Sequence, residues 1–200
     1  MSAEISAAIT KMSLLEGYQT LNQLWERGLL PEDLELHYFL HWFTQYDGNI
    51  VQASQGLQIH RNNMQGHFQQ FGLSHKTSGL RQSWNRLVKK NRNVSFEENF
   101  YHFYRRFNRE TKFTPEESRQ LASLWQSKFP LKTLLAHYAL WAIRSGKPKD
   151  WFETKLNYTA RHRIRLLKGL LNSKVRDGFW LAPLNPRPEE IYSRPRKKQA

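Results

Sequence analysis

The stretch YDGNIVQASQGLQIHRNNMQGHFQQFGLS, from Tyr46 to Ser74, decides how this chain is read. It opens on a turn at Asp47-Gly48-Asn49 and continues as a short run with small residues. It breaks near Leu57–His60, then resumes as a polar run closing on Phe71-Gly72-Leu73. Leu57, Ile59, Met64, Phe68 and Phe71 fall at helical spacing and form an inner face. Ala53 is small enough for two helices to cross closely, and Gly72 suits the C′ position that ends a helix. Two readings compete: a DNA-reading helix-turn-helix, or two helices of an ordinary bundle. The second run is rich in Asn, Gln and His and nearly uncharged, within a chain of net charge +14.

Outside that stretch the sequence also reads as helical, with no convincing strand alternation, so an all-α fold is expected. Two hundred residues with 7 Trp, 8 Tyr and 12 Phe are enough to bury a core. There is no Cys, which excludes disulfides and thiolate-ligated metal sites. The N-terminus has no basic n-region, and no run reaches the roughly 18 apolar residues of a membrane span. A cytoplasmic, nucleoid-associated protein with no membrane partner is the expectation. The charge is uneven: residues 1–99 hold 9 Lys/Arg against 9 Asp/Glu, and residues 100–200 hold 22 against 8. Such a surface attracts polyanions, nucleic acid above all.

Helix starts are marked at Ser13–Glu16, Pro31, Ser95–Glu98 and Thr114–Glu117, the first and last with the capping-box form. An internal repeat organises the chain. Leu21, Leu24, Trp25, His37, Tyr38 and Leu40 recur 100 positions later as Leu121, Leu124, Trp125, His137, Tyr138 and Leu140. The pattern predicts an N-terminal helical module at 1–90, a linking helix at 91–112, a C-terminal module at 113–180 and a Pro-rich basic tail at 181–200. The tail reads as an extended arm or a disordered end.

Gly48-Asn49, Ala53, Leu57, Ile59, Arg61, Met64 and Phe71-Gly72-Leu73 resemble the Fis-type helix-turn-helix of bacterial transcriptional regulators. The resemblance covers about 40 residues, including the helix that precedes the motif. It implies a three-helix DNA-binding unit whose last helix enters the major groove, with Asn49 on phosphate and His60, Arg61, Asn63, His67 and Gln70 facing DNA. The family's turn glycine is Gln58 here, so either Gln58 accepts strain or the turn has another shape.

The repeat places a second such unit at 144–174, with Leu57–His60 facing Leu156–Thr159. Asn157 tolerates the left-handed conformation of a tight turn, and Thr159 suits a helix N-cap. Its second helix carries Thr159, Arg161, His162, Arg163, Arg165 and Lys168, residue types that contact phosphate and guanine. Arg81, Arg86, Lys89, Lys90, Arg92, Lys147 and Lys149 are candidate phosphate contacts around the two units.

His37 and His41 have the spacing of a helical metal pair but lack a third ligand, so a structural role is expected. The aromatic stripe Phe96, Phe100, Phe103 and Phe107 reads as packing between modules or as a dimer contact. No catalytic set, metal or cofactor is expected. The expected function is sequence-specific binding of double-stranded DNA by a transcriptional regulator that reads two different half-sites. RNA polymerase, another regulator or a second copy of the chain are the further candidate partners. Two alternatives stay open: an accessory subunit of a recombination, transposition or packaging complex, and a basic helical module that binds RNA or protein.

Overall fold

The computed structural model describes residues 16–73, 77–107, 113–127, 129, 131–148, 150–171 and 186–192. The protein is all-α, as its sequence predicts, and no strand occurs among the described residues. Helix α1 covers residues 16–26. It is followed by α2 (Pro31–Gln45), α3 (Ile50–Gly56), α4 (Arg61–Gln70), α5 (Thr77–Lys90), α6 (Phe96–Phe107) and α7 (Pro115–Gln126). A 3₁₀ turn at Leu131–Thr133 leads into α8 (Leu134–Arg144), α9 (Trp151–Leu156), α10 (Ala160–Leu171) and α11 (Pro188–Tyr192).

The helix starts follow their local signals. At α7 the Thr114 amide donates to Glu117 Oε2 at 2.7 Å, and the Glu117 amide donates to Thr114 Oγ1 at 3.1 Å. This reciprocal pairing satisfies two amides that a helix N-terminus otherwise leaves without partners. At α2, Pro31 occupies the first turn and the Leu30 amide donates to Asp33 Oδ2 at 2.9 Å. At α6 the Glu98 amide donates to Ser95 Oγ at 3.2 Å. Ser13, the expected cap of α1, lies outside the described residues.

The chain divides into two compact units, one of Arg27–Trp125 and one of Met1–Glu26 with Gln126–Ala200. The division does not follow the order of the sequence. In the Arg27–Trp125 unit, α7 packs on α2. Trp125 stands edge-on to Tyr38, with centroids 5.3 Å apart, and its indole N–H donates to His37 Nδ1 at 2.9 Å. In the other unit α1 packs on α8, with Trp25 edge-on to Tyr138 at 5.4 Å and Tyr18 edge-on to His137 at 5.3 Å. Each unit thus takes a Leu-x-x-Leu-Trp helix from the other half of the chain. Leu21, Leu24, Trp25, Leu121, Leu124 and Trp125 are all buried.

The segment 91–112, read from sequence as a linker, supplies a core helix instead. Phe100, Phe103 and Tyr104 of α6 are buried within the Arg27–Trp125 unit. Phe96 and Phe103 pack edge-on against Trp84 of α5, and Phe100 packs edge-on against His37 and His41 of α2. The aromatic stripe therefore belongs to the interior of one unit.

His37 makes hydrogen bonds on both ring nitrogens. Because Nδ1 accepts from Trp125, the ring proton sits on Nε2, which donates to Ser118 Oγ at 2.9 Å. Burial holds His37 well below its ordinary pKa, with the neighbouring His41 acting in the same direction. Burial likewise lowers His41 to about 3. No group of three or more His, Asp or Glu side chains able to hold a metal occurs among the described residues.

Candidate nucleic-acid interface

Helices α2, α3 and α4 pack on one another as a three-helix unit. The α2–α3 turn needs two left-handed residues, Asp47 at φ 50° and Gly48 at φ 73°. A Cβ on Gly48 would stand 2.9 Å from the Arg81 Cα, so the start of α5 closes against this turn and only glycine fits. Asn49 caps α3, its side-chain oxygen accepting from the Val51 and Gln52 amides at 3.1 and 3.3 Å.

The turn between α3 and α4 answers the question that Gln58 raises. Gln58 adopts the left-handed conformation with φ 55°. The Ile59 amide donates back to Ser54 O at 3.0 Å, closing the end of α3. His60 then caps α4, its Nδ1 accepting from the Asn62 amide at 3.3 Å. At the far end Gly72 takes φ 67° and the Leu73 amide donates to Phe68 O at 2.9 Å, the C′ role expected of that glycine.

Met64 and Phe68 turn inward and are buried; Phe68 packs edge-on against Phe43 at 5.5 Å. This orientation sorts the expected contact residues of α4. Arg61, Asn63 and Gln70 are exposed, as is the capping His60. His67 is not on the outer face: its ring stacks on Phe39 at 4.2 Å, and burial lowers its pKa. The inner row of α4 includes position 67, three residues after Met64, so the helical period turns it toward α2. Asn49 is exposed only in part, and its oxygen is committed to the cap rather than to a ligand. The row opposite the buried side chains runs through Asn62, Gly66 and Gln69, none of which the motif resemblance singles out.

The second unit repeats this construction with other side chains. Asn157 ends α9 in the left-handed conformation at φ 55°, and the Tyr158 amide donates to Glu153 O at 3.0 Å. Thr159 Oγ1 accepts from the His162 amide at 3.2 Å and caps α10. Leu167 and Leu170 are buried, as is Arg163.

Arg163 is therefore corrected as a candidate contact. Only 4% of it is exposed, and its Nε donates to Glu153 Oε1 at 2.8 Å. It occupies the inward row that Met64 occupies in α4, and a charge placed there is tolerated only with its partner beside it. Arg161, Arg165 and Lys168 form the exposed row instead, with Thr159 exposed at its head. His162 stacks on Tyr158 at 4.4 Å, and its Nδ1 accepts from Arg165 at 3.0 Å. His162 thereby orients Arg165 and is only partly exposed.

Among the phosphate candidates, Arg81, Arg86, Lys89 and Lys90 are exposed along α5, and Arg92 follows it. Lys89 and Arg92 border a shallow hollow of about 380 Å³ with Trp84, Asn85, Val88 and Asp47. The nearly neutral α4 thus shares its unit with a basic α5. Lys147 is exposed, and its ammonium lies 5.7 Å from the ring centres of both Trp141 and Trp151. Lys149 lies outside the described residues.

The part of the expected tail that is described is not an extended arm. Residues Pro188–Tyr192 form α11, which packs on α10 with Ile191 buried. Glu190 accepts from Arg144 at 2.9 and 3.2 Å and from the Arg187 amide at 2.7 Å. Burial alone would raise its pKa. The Arg144 and Arg187 hydrogen bonds outweigh burial and hold the carboxyl below its ordinary value. The signal for this helix was local and readable: Arg187-Pro188-Glu189-Glu190 places Pro in the first turn with acids behind it.

No protein-family model matches the chain, and no curated protein or solved structure matches it. Among the described residues, no helix is long and apolar enough to cross a membrane.

Proposed function

We propose that the protein binds double-stranded DNA in a sequence-specific way and acts as a transcriptional regulator, with a helix-turn-helix in each of its two units. One observation carries the reading. In both units a left-handed residue, Gln58 or Asn157, fixes a tight turn, and the helix after it shows a polar row to solvent. That is the local geometry by which a recognition helix reaches a major groove. The resemblance of residues 46–74 to the Fis-type motif supports the same assignment. Arg161, Arg165 and Lys168 of α10 contact phosphate and guanine, and the cations of α5 hold phosphate beside α4.

A salt titration of binding to duplex DNA, with random duplex and single-stranded RNA as competitors, tests this. A specific regulator keeps a preference of at least roughly 10³ over non-specific duplex. Replacing Arg161, Arg165 and Lys168 together by Ala is expected to flatten the slope of log affinity against log salt by about 3. Equal binding to RNA and to any duplex would overturn the proposal.

A further inference from the structure

Gly66 stands in the middle of α4 with ordinary helical backbone angles. A Cβ built on it meets no heavy atom within 4 Å. The fold therefore gives no steric reason for glycine there, and glycine weakens a helix interior relative to alanine. Gly79 and Gly169 are equally open, but each lies within three residues of a helix end, where glycine costs less. Gly66 also sits on the row opposite the buried Met64 and Phe68. Gly66 itself is partly exposed between the exposed Asn62 and Gln70, and its bare backbone with open space beside it lets a partner approach more closely than any side chain allows.

The neighbours on that face say what kind of partner fits. Asn62 and Gln70 lie one turn before and one turn after Gly66, and both are exposed. Neither carries charge, so the face is built for hydrogen-bond matching rather than for attraction. A carboxamide donates and accepts side by side, which matches the N7 acceptor and N6 amine of adenine in the major groove. The two amides are roughly 12 Å apart along the helix axis. That distance is within the reach of a few stacked base pairs.

We infer that α4 seats its backbone at Gly66 against the floor of a major groove and reads A·T pairs through Asn62 and Gln70. The inference rests on the duplex-binding reading above. It assigns the A·T-reading half of the site to α4 and leaves the cationic row of α10 to the other half.

The full-length chain and a duplex selected from a random pool provide the test. Gly66→Ala is expected to raise the melting temperature, because the space is open and alanine favours helix. The same change is expected to weaken duplex binding about tenfold or more, and Gly66→Leu to weaken it further. A glycine with a merely structural role would not separate stability from affinity in this way. Asn62→Ala is expected to lose the preference for adenine at one position of the site. Replacing that adenine by 7-deazaadenine, which lacks N7, should reproduce the loss in the unaltered chain. Wild-type affinity for Gly66→Leu, with binding still abolished by Arg161→Ala and Arg165→Ala, would overturn the inference and leave the duplex reading standing. Failure of the unaltered chain to prefer any duplex would overturn the duplex reading itself.

Discussion

Helices α4 and α10 begin at the same distance from a left-handed residue, yet they present opposite chemistry. Counted from Gln58, positions four, eight and eleven are Asn62, Gly66 and Gln69. Counted from Asn157, the same positions are Arg161, Arg165 and Lys168. The inward row differs as well: Ser54 and Met64 in one unit stand where Glu153 and Arg163 stand in the other. The two turns share one dihedral angle and one amide bond while both faces of the helix after each differ. The turn is set by one dihedral angle and a few amide bonds, which tolerate almost any side chain on the helix that follows.

The strongest way to break this comparison is through the exchanged tryptophans. Trp125→Ala should destabilise the unit that carries α4 by about 3–5 kcal/mol, since a fully buried indole is removed. Hydrogen exchange should show α4 losing protection while α10 keeps it, and Trp25→Ala should do the reverse. Loss of protection in α10 on removal of Trp125 would contradict the assignment of helices to units.

The buried ion pair is the next lever. Arg163→Met leaves Glu153 half-buried without its cation and should cost about 3 kcal/mol in chemical denaturation. Adding Glu153→Ser copies the Ser54–Met64 pairing of the first unit and should recover most of that loss. A double variant no more stable than the single one would mean that the two inward rows are not interchangeable.

Acid should weaken both units. His41 and His137 are held to about 3 by burial, with Arg144 also acting on His137. Both are neutral in the folded state, while the unfolded chain takes up protons below its ordinary histidine pKa of about 6.5. Their contribution is full above that pH and falls as pH drops toward 3. Between pH 7 and pH 5 each unit should lose about 2 kcal/mol per buried histidine, read from denaturation midpoints.

The smallest expected effect concerns the turns themselves. A non-glycine side chain in the left-handed region costs about 1 kcal/mol, and Asn bears that conformation better than Gln. Gln58→Gly should therefore raise stability by about 0.5–1 kcal/mol, and Asn157→Gly by less. Equal gains at both sites would show that the amide of Asn157 gives its turn no special help.

Much of this is legible in the sequence. Caps at Thr114–Glu117, the C′ glycine at Gly72, the turn at Asn157 and the cap at Thr159 follow from one or two residues acting on their own backbone. So does the all-α class, because helical periodicity is a local property. The outward faces are less legible: His67 reads as a contact although its place three residues after Met64 already turns it inward, and Arg163 is turned inward by a partner that only packing brings to it. A charged residue at an inward position looks like a surface residue until its partner, ten residues away, is seen beside it.

The amino-acid sequence by itself determined the all-α class, several helix starts and ends such as Thr114–Glu117 and Gly72, the left-handed turn at Asn157, and that there are enough aromatic residues to build a core. The left-handed turns at Asp47 and Gln58 and helix α11 emerged only from the structure. Tertiary structure alone decided which helix serves which unit. Two Leu-x-x-Leu-Trp helices and two His-Tyr seats of nearly the same composition leave the pairing undetermined at the level of pattern. The choice rests on shape and on contacts such as the Ser118–His37 hydrogen bond and the edge-on packing of Tyr18 against His137, between residues 81 and more than 100 positions apart.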